Sequence, residues 1–360
     1  MLSRYNSKKV LITGHTGFKG SWLATWLLSL GAEVHGISLD PPSNPSNFSV
    51  LGLGSKVFDH RNDLLSLEEV KPLIQEIQPD YIFHLAAQSL VRPSYEDPLN
   101  TFKVNSLGTA HILESARSFS KKVNIVLITS DKSYDNIELE RGYEETDVLG
   151  GKDPYSASKG MAELVIKSYF HSFLKDNNFI RLAVTRAGNV IGGGDWARDR
   201  IVPDCVRAWA EKKKPEIRNP DATRPWQHVL EPLGGYLLLG ALLSENNNFN
   251  GEAYNFGPAK DNNFSVRDLI EEMKKNWSSV EWIDSSKGKE KLYEAKLLRL
   301  NCEKAMNHLK WEPILNFEET IELTVNWYKK YYSGNDIYDF TLSQIEEYSR
   351  KGKTRGAYWI

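Results

Sequence analysis

The sequence predicts an α/β fold built on a doubly wound parallel sheet, with a smaller mixed domain in the C-terminal part of the chain. Short apolar stretches of strand type alternate with segments of helical periodicity over the first half, a pattern typical of parallel strands joined by crossover helices. A run of glycines separates the first strand from the first helix, and beyond about Gly188 helices dominate. We therefore predict one domain at residues 1–188 and a second, mainly at 189–360, from which some segments return to the first.

The individual elements follow from local periodicity and from the turn residues that bound them. In the first domain, strands are predicted at residues 10–12, 33–39, 56–59, 81–85, 124–129 and 181–186. The helices predicted after the glycine run and its own helix are 67–77, 102–116 and 156–174. In the second domain we predict helices at 201–210, 229–243, 266–277 and 317–331, with short strands at 254–256 and 280–282. The segment 339–360 is rich in charged and aromatic residues, and its sequence predicts no specific role.

Composition excludes several classes of protein. The chain has 360 residues, 41% of them hydrophobic, and a formal net charge of −2, so no electrostatic argument favours nucleic acid. The two cysteines, Cys205 and Cys302, predict neither a disulfide framework nor a metal site. Residues 1–9 lack the apolar region of a signal peptide, and the apolar stretch 229–243 is too short to span a bilayer. We therefore expect a cytoplasmic protein without a membrane segment.

The glycine turn lies in KKVLITGHTGFKGSWLATWLLSL, residues 8–30, where Gly14, Gly17 and Gly20 recur at three-residue spacing between strand and helix. In such turns the first glycine permits a tight turn and the second lets the backbone approach a pyrophosphate. The third lets the helix pack closely against the strand. The helix N-terminus then offers N–H groups and the positive end of its dipole to the phosphates. This order of elements predicts a dinucleotide site.

The end of the second strand suggests which dinucleotide binds. Asp40 lies 26 residues after Gly14, where a carboxylate can accept hydrogen bonds from the adenosine ribose. A 2′-phosphate would instead be bound by an arginine, and none occurs between Asp40 and Ser55. The sequence therefore favours NAD over NADP, although an aspartate before Pro41 is also an ordinary turn residue. Asp63 is a second, weaker candidate that would face the adenine.

Tyr155 and Lys159 are one helical turn apart and face the same side of the predicted helix 156–174. A lysine ammonium beside a phenol lowers the phenol's pKa. The phenolate can then accept a proton from a sugar hydroxyl while a hydride leaves for nicotinamide. On its own such a pair is usually a surface feature, and its position after a glycine turn and five strands is what favours a catalytic role.

Two further groups of polar residues are candidates. Ser130, Asp131 and Lys132 follow the fifth strand, at the edge where ligands bind in open α/β sheets. They offer hydrogen bonding, proton donation and proton abstraction. Asn189 and the motif RPWQHV, which contains Arg224 and His228, lie in the second domain. An arginine there suits a diphosphate, whereas a histidine is more often structural.

Together the motifs resemble those of the extended short-chain dehydrogenase/reductases that act on nucleotide sugars. Within that family they are most similar to the CDP-glucose 4,6-dehydratase branch. The motifs GHTGFKGSWL, HLAAQSLVRPSY, TSDKSY, DPYSASKG, RAGNVIGGGDWA, DRIVPD, RPWQHVLEPL and NFGP occur in family order over about residues 8–258. The related dTDP-glucose branch has Thr-Asp-Glu where this chain has Ser130-Asp131-Lys132. The lysine is the feature that resembles the CDP branch.

The resemblance implies a Rossmann fold and a hydro-lyase that converts CDP-glucose to the CDP-4-keto-6-deoxy sugar. Tyr155, aided by Lys159 and Ser130, would deprotonate the hydroxyl on carbon 4. Asp131 would protonate the hydroxyl leaving carbon 6, and Lys132 or water would take the proton from carbon 5. Residues implied to bind NAD are Gly14, Thr16, Gly17, Phe18, Lys19, Asp40, Asp63, Leu64, Leu85, Ala86, Ala87, Tyr155 and Lys159. Residues implied to bind the sugar and diphosphate are Gln88, Ser89, Asn189, Arg224 and His228.

Two alternatives and one partner also follow from the resemblance. A nucleotide-sugar 4-epimerase would need Tyr155 and Lys159 but no acid at carbon 6, so Asp131 argues against it. A non-catalytic NAD-sensing protein would be free to lose these three residues. Members of the family usually pair through helices equivalent to 102–116 and 156–174, so we expect a homodimer or a dimer of dimers.

Overall fold

The computed structural model describes residues 1–259, 262–277, 280–286, 298–334 and 336–360. A seven-stranded sheet organises the fold, and all its neighbouring strands are parallel. In chain order its strands are Lys9–Thr13 (β1), Glu33–Ser38 (β2), Phe58–Arg61 (β3), Tyr81–His84 (β4), Val123–Ile128 (β5), Ile180–Ala187 (β6) and Ala253–Phe256 (β7). Across the sheet they run β7-β6-β5-β4-β1-β2-β3. The predicted doubly wound parallel sheet is confirmed.

The strand order reverses between β1 and β4, and this reversal locates the site. From β1 the chain adds β2 and β3 on one side, whereas β4 to β7 extend on the other. The loops that follow β1 and β4 therefore diverge to opposite faces and leave a crevice at their carboxyl ends, where doubly wound sheets bind ligands. The glycine turn follows β1, and Leu85–Ala87 follow β4.

Both faces of the sheet are covered, which explains why its inner strands are apolar throughout. Val10 and Ile12 of β1 belong to the core on one face, and Leu11 between them belongs to the core on the other. The helices, in chain order, are Phe18–Ser29 (α1), Leu67–Ile77 (α2), Gly108–Ala116 (α3), Pro154–Tyr169 (α4), Ile201–Ala210 (α5), Leu230–Glu245 (α6), Val266–Asn276 (α7), Phe317–Tyr332 (α8) and Ile337–Thr354 (α9). Side chains of α1 and α6 fill the first core, and those of α2, α3 and α4 fill the second.

Shorter elements complete the chain. The remaining helical turns are Leu2–Tyr5, Asn47–Val50, Leu53–Ser55, Val91–Glu96, Pro98–Phe102, Lys103–Leu107, Asp131–Ser133, Phe170–Leu174, Asn247–Phe249 and Ala305–Leu309. Three two-stranded ribbons pair Val190–Ile191 with Gln227–His228, Thr223–Arg224 with Phe264–Ser265, and Glu216–Ile217 with Ile283–Asp284. In the described part of the chain, no helix is both long and apolar enough to cross a membrane.

Three sequence predictions need correction, and the structure gives a role to one segment for which the sequence predicted none. The third strand lies at Phe58–Arg61 rather than 56–59, and the strand predicted at 280–282 is found at Ile283–Asp284. The helix predicted to begin at residue 102 is preceded by a turn that begins at Pro98, because Asp97 caps it. The segment 339–360 is largely α9, and Trp359 beyond it is fully buried against Gly234. Its Tyr348 and Trp359 are therefore core residues, whereas Tyr358 is 50% exposed.

Candidate active site

The glycine turn has the geometry that its sequence predicts. Gly14 has a φ of +77°, and a Cβ atom there would lie 2.8 Å from the Ala86 nitrogen in the loop after β4. A Cβ atom on Gly20 would lie 2.2 Å from the Gly14 carbonyl oxygen, so α1 can pack this closely only with glycine. Gly17 precedes α1 without any side-chain cap. The first N–H groups of α1 therefore have no capping side chain to compete with a phosphate for them.

The second predicted cofactor element is the end of β2. Asp40 lies two residues beyond the last residue of β2, with 95% of its side chain exposed. The Thr16 hydroxyl, from the glycine turn, lies 2.7 Å from the Ser38 hydroxyl. Arg61, at the end of the neighbouring β3, lies 3.9 Å from Asp40 and donates a hydrogen bond to the Leu39 carbonyl. The sequence statement that no arginine occurs between Asp40 and Ser55 is correct, but Arg61 from the neighbouring strand approaches Asp40 in space.

The remaining residues predicted to contact the cofactor follow β1, β3 and β4. Leu85 and Ala86 donate backbone hydrogen bonds to the carbonyl and hydroxyl oxygens of Thr13. Asp63 is exposed and accepts the Leu65 N–H, whereas Leu64 is buried. The other three predicted residues, all partly buried, are Phe18, Lys19 and Ala87.

Tyr155 and Lys159 lie in the first two turns of α4, which Asp153 caps through the Ser156 N–H. Both are buried, at 7% and 6% exposure. Burial raises the pKa of the Tyr155 phenol, and the charge of Lys132 and a hydrogen bond with Ser130 oppose that rise. Burial also lowers the pKa of Lys159 to about 8, against the opposing charge of Glu163. The expectation of a lowered phenol pKa is therefore wrong for this structure, because desolvation of Tyr155 dominates.

The triplet after β5 forms a tight polar turn opposite that helix. The Ser130 hydroxyl donates to Asp131 Oδ1 at 2.8 Å, and Lys132 Nζ lies 3.7 Å from the same oxygen. Asp131 is 2% exposed, and a Cβ atom on Gly188 would lie 2.0 Å from its Oδ2. Gly188 thus leaves the space that this buried carboxyl occupies. Ser130, Asp131 and Lys132 all act on the Tyr155 phenol, so acid, lysine and phenol share one site.

The sequence analysis missed a second pair of charges in this site. Arg200 donates to Asp195 at 2.7 Å, and its charge also acts on Tyr155. Burial and the charge of Arg200 lower the pKa of Lys19 to about 8. The motif GGGDWARDR, residues 192–200, holds both Asp195 and Arg200 and begins three residues after Asn189. A closer reading of its acidic and basic residues could have indicated them.

Of the residues predicted to bind substrate, some lie at or beside one cavity and others lie elsewhere. Asn189 has a φ of +52° and lines a cavity of about 360 Å³ that reaches from Asp131 to Arg299. Arg224 lies on a two-residue strand next to Pro225, which also lines this cavity. Ser89 is exposed in the loop after β4.

Two of these predictions fit the structure poorly. His228 is fully buried, packs edge-on against Trp22, and has a pKa lowered by burial to about 3. With no exposed surface, the ring belongs to the core in this structure, so the geometry gives no support to a contact with substrate, which stays a prediction. The Gln88 side chain donates to Leu90 and Thr101 and accepts from the Leu90 N–H, so it holds its own loop together.

Comparison with known proteins agrees with this geometry. The family model for GDP-mannose 4,6-dehydratase matches residues 11–324. The chain is 42% identical to a CDP-glucose 4,6-dehydratase of Salmonella typhimurium, over 96% of this chain and 97% of that protein.

Two solved structures share the fold. A UDP-glucose 4-epimerase from Thermotoga maritima superposes with a TM-score of 0.76 at 21% identity, covering 90% of this chain and 99% of that one. A dTDP-glucose 4,6-dehydratase from Bacillus anthracis, solved with NAD, gives a TM-score of 0.73 at 22% identity, covering 90% and 97%. At these identities the likeness establishes the fold alone.

Proposed function

The chain belongs to the GDP-mannose 4,6-dehydratase family, within the extended short-chain dehydrogenase/reductases, and from that premise we propose that it is an NAD-dependent CDP-glucose 4,6-dehydratase. It converts CDP-D-glucose to CDP-4-keto-6-deoxy-D-glucose and water, as a step in the synthesis of deoxysugars such as those of lipopolysaccharide. The observation that carries the proposal is the 42% identity, from end to end, with a CDP-glucose 4,6-dehydratase. The buried carboxyl of Asp131 beside Tyr155 supplies the acid that a dehydratase needs and an epimerase does not.

The residues of the glycine turn fit a bound NAD. The uncapped start of α1 suits the pyrophosphate, and the positive φ of Gly14 lets the turn lie against the loop after β4. Asp40 is exposed where the adenosine ribose would lie. NAD held there would supply the acceptor for the hydride from carbon 4 of the sugar and the donor of the hydride for carbon 6.

The protein's own residues then move protons. Tyr155 accepts the proton of the 4-hydroxyl as general base, and the Ser130 hydroxyl stabilises the phenolate. Lys159 lies one turn further along α4 than Tyr155, and its ammonium contributes a positive charge to this part of the site. Oxidation at carbon 4 makes the proton on carbon 5 acidic, and Lys132 removes it in the state of the Lys132–Asp131 pair in which Asp131 holds the shared proton and the lysine is neutral. Asp131 protonates the hydroxyl that leaves carbon 6.

Substrate binding is assigned to the cavity that borders Asp131. Asn189 lies at its wall and Arg224 beside it, where a guanidinium can bind the diphosphate through two parallel hydrogen bonds. Arg141, Asn262 and Arg299 also line this cavity and could contact the nucleotide. We retain the division into a cofactor part at 1–188 and a substrate part at 189–360, with β7 returning to the sheet.

A homodimer is proposed from the exposed face of α3 and α4. Large apolar side chains that are 44–56% exposed cluster along these helices and their continuations, namely Leu107, Met161, Leu164 and Phe173. Exposed apolar groups on two adjacent helices are typical of a helical pairing surface.

With both cysteines free and buried, we assign the protein to the cytoplasm.

The test is a panel of CDP-, dTDP-, UDP- and GDP-glucose with the purified protein and NAD, following the 4-keto product by its absorbance in alkali. We expect CDP-glucose to be preferred. Turnover of dTDP-glucose at an equal or higher rate would overturn the CDP assignment but not the dehydratase reaction. Formation of CDP-galactose without a keto sugar would instead support a 4-epimerase.

A further inference from the structure

A buried ion pair lies behind the active site and takes no part in the chemistry described above. Glu163, on α4, and Arg186, on β6, are 5% and 3% exposed. Arg186 Nε donates to Glu163 Oε1 at 2.6 Å, and its Nη2 donates to Oε2 at 2.5 Å. Two parallel charge-assisted bonds fix both the distance and the relative orientation of the two groups.

This ion pair holds both sides of the turn that carries Ser130, Asp131 and Lys132. Before the triplet, the Thr129 hydroxyl donates to Glu163 Oε1 at 2.6 Å. After it, the Ser133 hydroxyl lies 3.1 Å from the same oxygen. Arg186 Nη1 donates to the Tyr134 hydroxyl at 2.7 Å, and its guanidinium lies over the Tyr134 ring. The three chemical residues are thus bracketed by contacts to one ion pair.

The same carboxylate also belongs to the helix that carries the catalytic base. Glu163 is one turn beyond Lys159 and two turns beyond Tyr155 on α4. It is also the group whose charge opposes the effect of burial on Lys159. Any movement of the turn relative to α4 would therefore break a hydrogen bond to Glu163.

We propose that Glu163 and Arg186 are positioning residues, which set the distance between the acid on the turn and the phenol on α4. The reaction that they serve is the proposed dehydration, so this inference rests on the proposed function. A buried ion pair adds little net stability over apolar residues of the same shape. Its fixed geometry is what two separate segments require when both contribute to one transition state.

The test removes one hydroxyl rather than a buried charge, so that the fold survives. Thr129→Val deletes the bond to Glu163, Thr129→Ser retains it, and Thr324→Val is the matched control. Thr324 is 1% exposed, and its hydroxyl donates within its own helix α8, to the Thr320 carbonyl. Ser133→Ala is the second variant, to be used if Thr129→Val does not fold.

The first measurement does not depend on turnover. Hydrogen–deuterium exchange of a peptide that contains residues 129–134 should be faster by about fivefold in Thr129→Val, the effect of one lost hydrogen bond. It should be unchanged in Thr129→Ser and Thr324→Val. Unchanged exchange in Thr129→Val or, where that variant does not fold, in Ser133→Ala would overturn the proposal, even if the protein used a different sugar nucleotide.

The second measurement is steady-state turnover of CDP-glucose. In Thr129→Val we expect kcat to fall by about 10- to 100-fold, the effect of a misplaced catalytic group. KM should change little, because Asn189 and Arg224 lie elsewhere. Thr129→Ser should restore kcat, which a general loss of stability would not allow. A wild-type protein that makes no keto sugar contradicts the proposed function, whereas an active Thr129→Val variant contradicts only the positioning role.

Discussion

The two walls of the active site are fixed in different ways. One wall is α4, where Tyr155 and Lys159 are buried and follow a capped helix start. The other is the turn at Ser130–Lys132, which holds the acid and the second lysine through side-chain hydrogen bonds. Lys132 has 34% of its side chain exposed, and its partner is Asp131. Lys159 on the opposite wall is buried instead, and burial lowers its pKa to about 8.

This difference assigns separate steps to the two walls. A rigid, buried phenol suits the first proton transfer, which must be aligned with hydride loss at carbon 4. A turn with a buried acid and a partly exposed lysine suits elimination, in which one proton leaves and another is delivered. Variants of the helix wall should therefore stop oxidation, and variants of the turn should stop the reaction after oxidation.

The largest effect is expected from the helix wall. Tyr155→Phe removes the general base, so oxidation at carbon 4 should fall by about 10³-fold or more. The measurement is the absorbance of reduced cofactor in a single turnover, with circular dichroism as a check on folding. Reduced cofactor that appears at the normal rate would show that another group is the base, and the contrast between the walls would fail.

Lys132→Met tests the turn, with substrate deuterated at carbon 5. If Lys132 is the base, oxidation should persist, reduced cofactor should accumulate, and elimination should slow by about 100-fold with a large isotope effect. The control is Lys121→Met, an exposed lysine that pairs with Asp80 much as Lys132 pairs with Asp131. Near-normal elimination in Lys132→Met would leave water as the base.

The pH dependence of oxidation tests the charge of Lys159 on the α4 wall. The Lys159 pKa is about 8 rather than its usual value near 10.5, because burial disfavours the ammonium. Glu163 opposes this shift, while His84 and Lys19 are the other titratable groups that sense the Lys159 charge. A lowered pKa means that the ammonium persists below about pH 8 and is lost above it. Oxidation should therefore decline by up to about tenfold per pH unit above that value.

The control for this pH profile is Lys159→Met, which should be slow at every pH and lack the decline. An unchanged decline in that variant would assign the titration to another group.

Local patterns in the sequence were sufficient for much of this picture. Apolar runs gave the sheet, and the glycine spacing gave the turn, because both depend on neighbours a few residues apart. Three features depended on the tertiary fold. Arg61 reaches Asp40 only because β2 and β3 are adjacent, and Arg200 reaches Tyr155 only through the loop after β6. The tail packs Trp359 against α6, which no local pattern records.

His228 shows a different limit of the motif. The motif suggested a substrate ligand, whereas in this structure the ring is fully buried and packs edge-on against Trp22. Burial depends on the tertiary fold and cannot be read from the motif alone.

The smallest effect should come from Asp40, outside both walls. Asp40→Ala removes an acceptor for the ribose hydroxyls, so NAD should bind about tenfold more weakly, as when a charged hydrogen bond is lost. The kcat at saturating NAD should not change, because Asp40 is assigned to the adenosine ribose and Tyr155 to the reacting sugar. Arg61 then loses the more distant of its two acidic neighbours, Asp40 at 3.9 Å, and keeps Asp59 at 2.7 Å, so NADP should bind more tightly than it does to the wild type. Arg61→Ala in the same protein should remove that gain, since no guanidinium is left to bind a 2′-phosphate. Calorimetry with both cofactors measures each of these changes. If NAD affinity is the same in Asp40→Ala and wild type, Asp40 does not contact the ribose, and the outer edge of the site must be assigned to other residues.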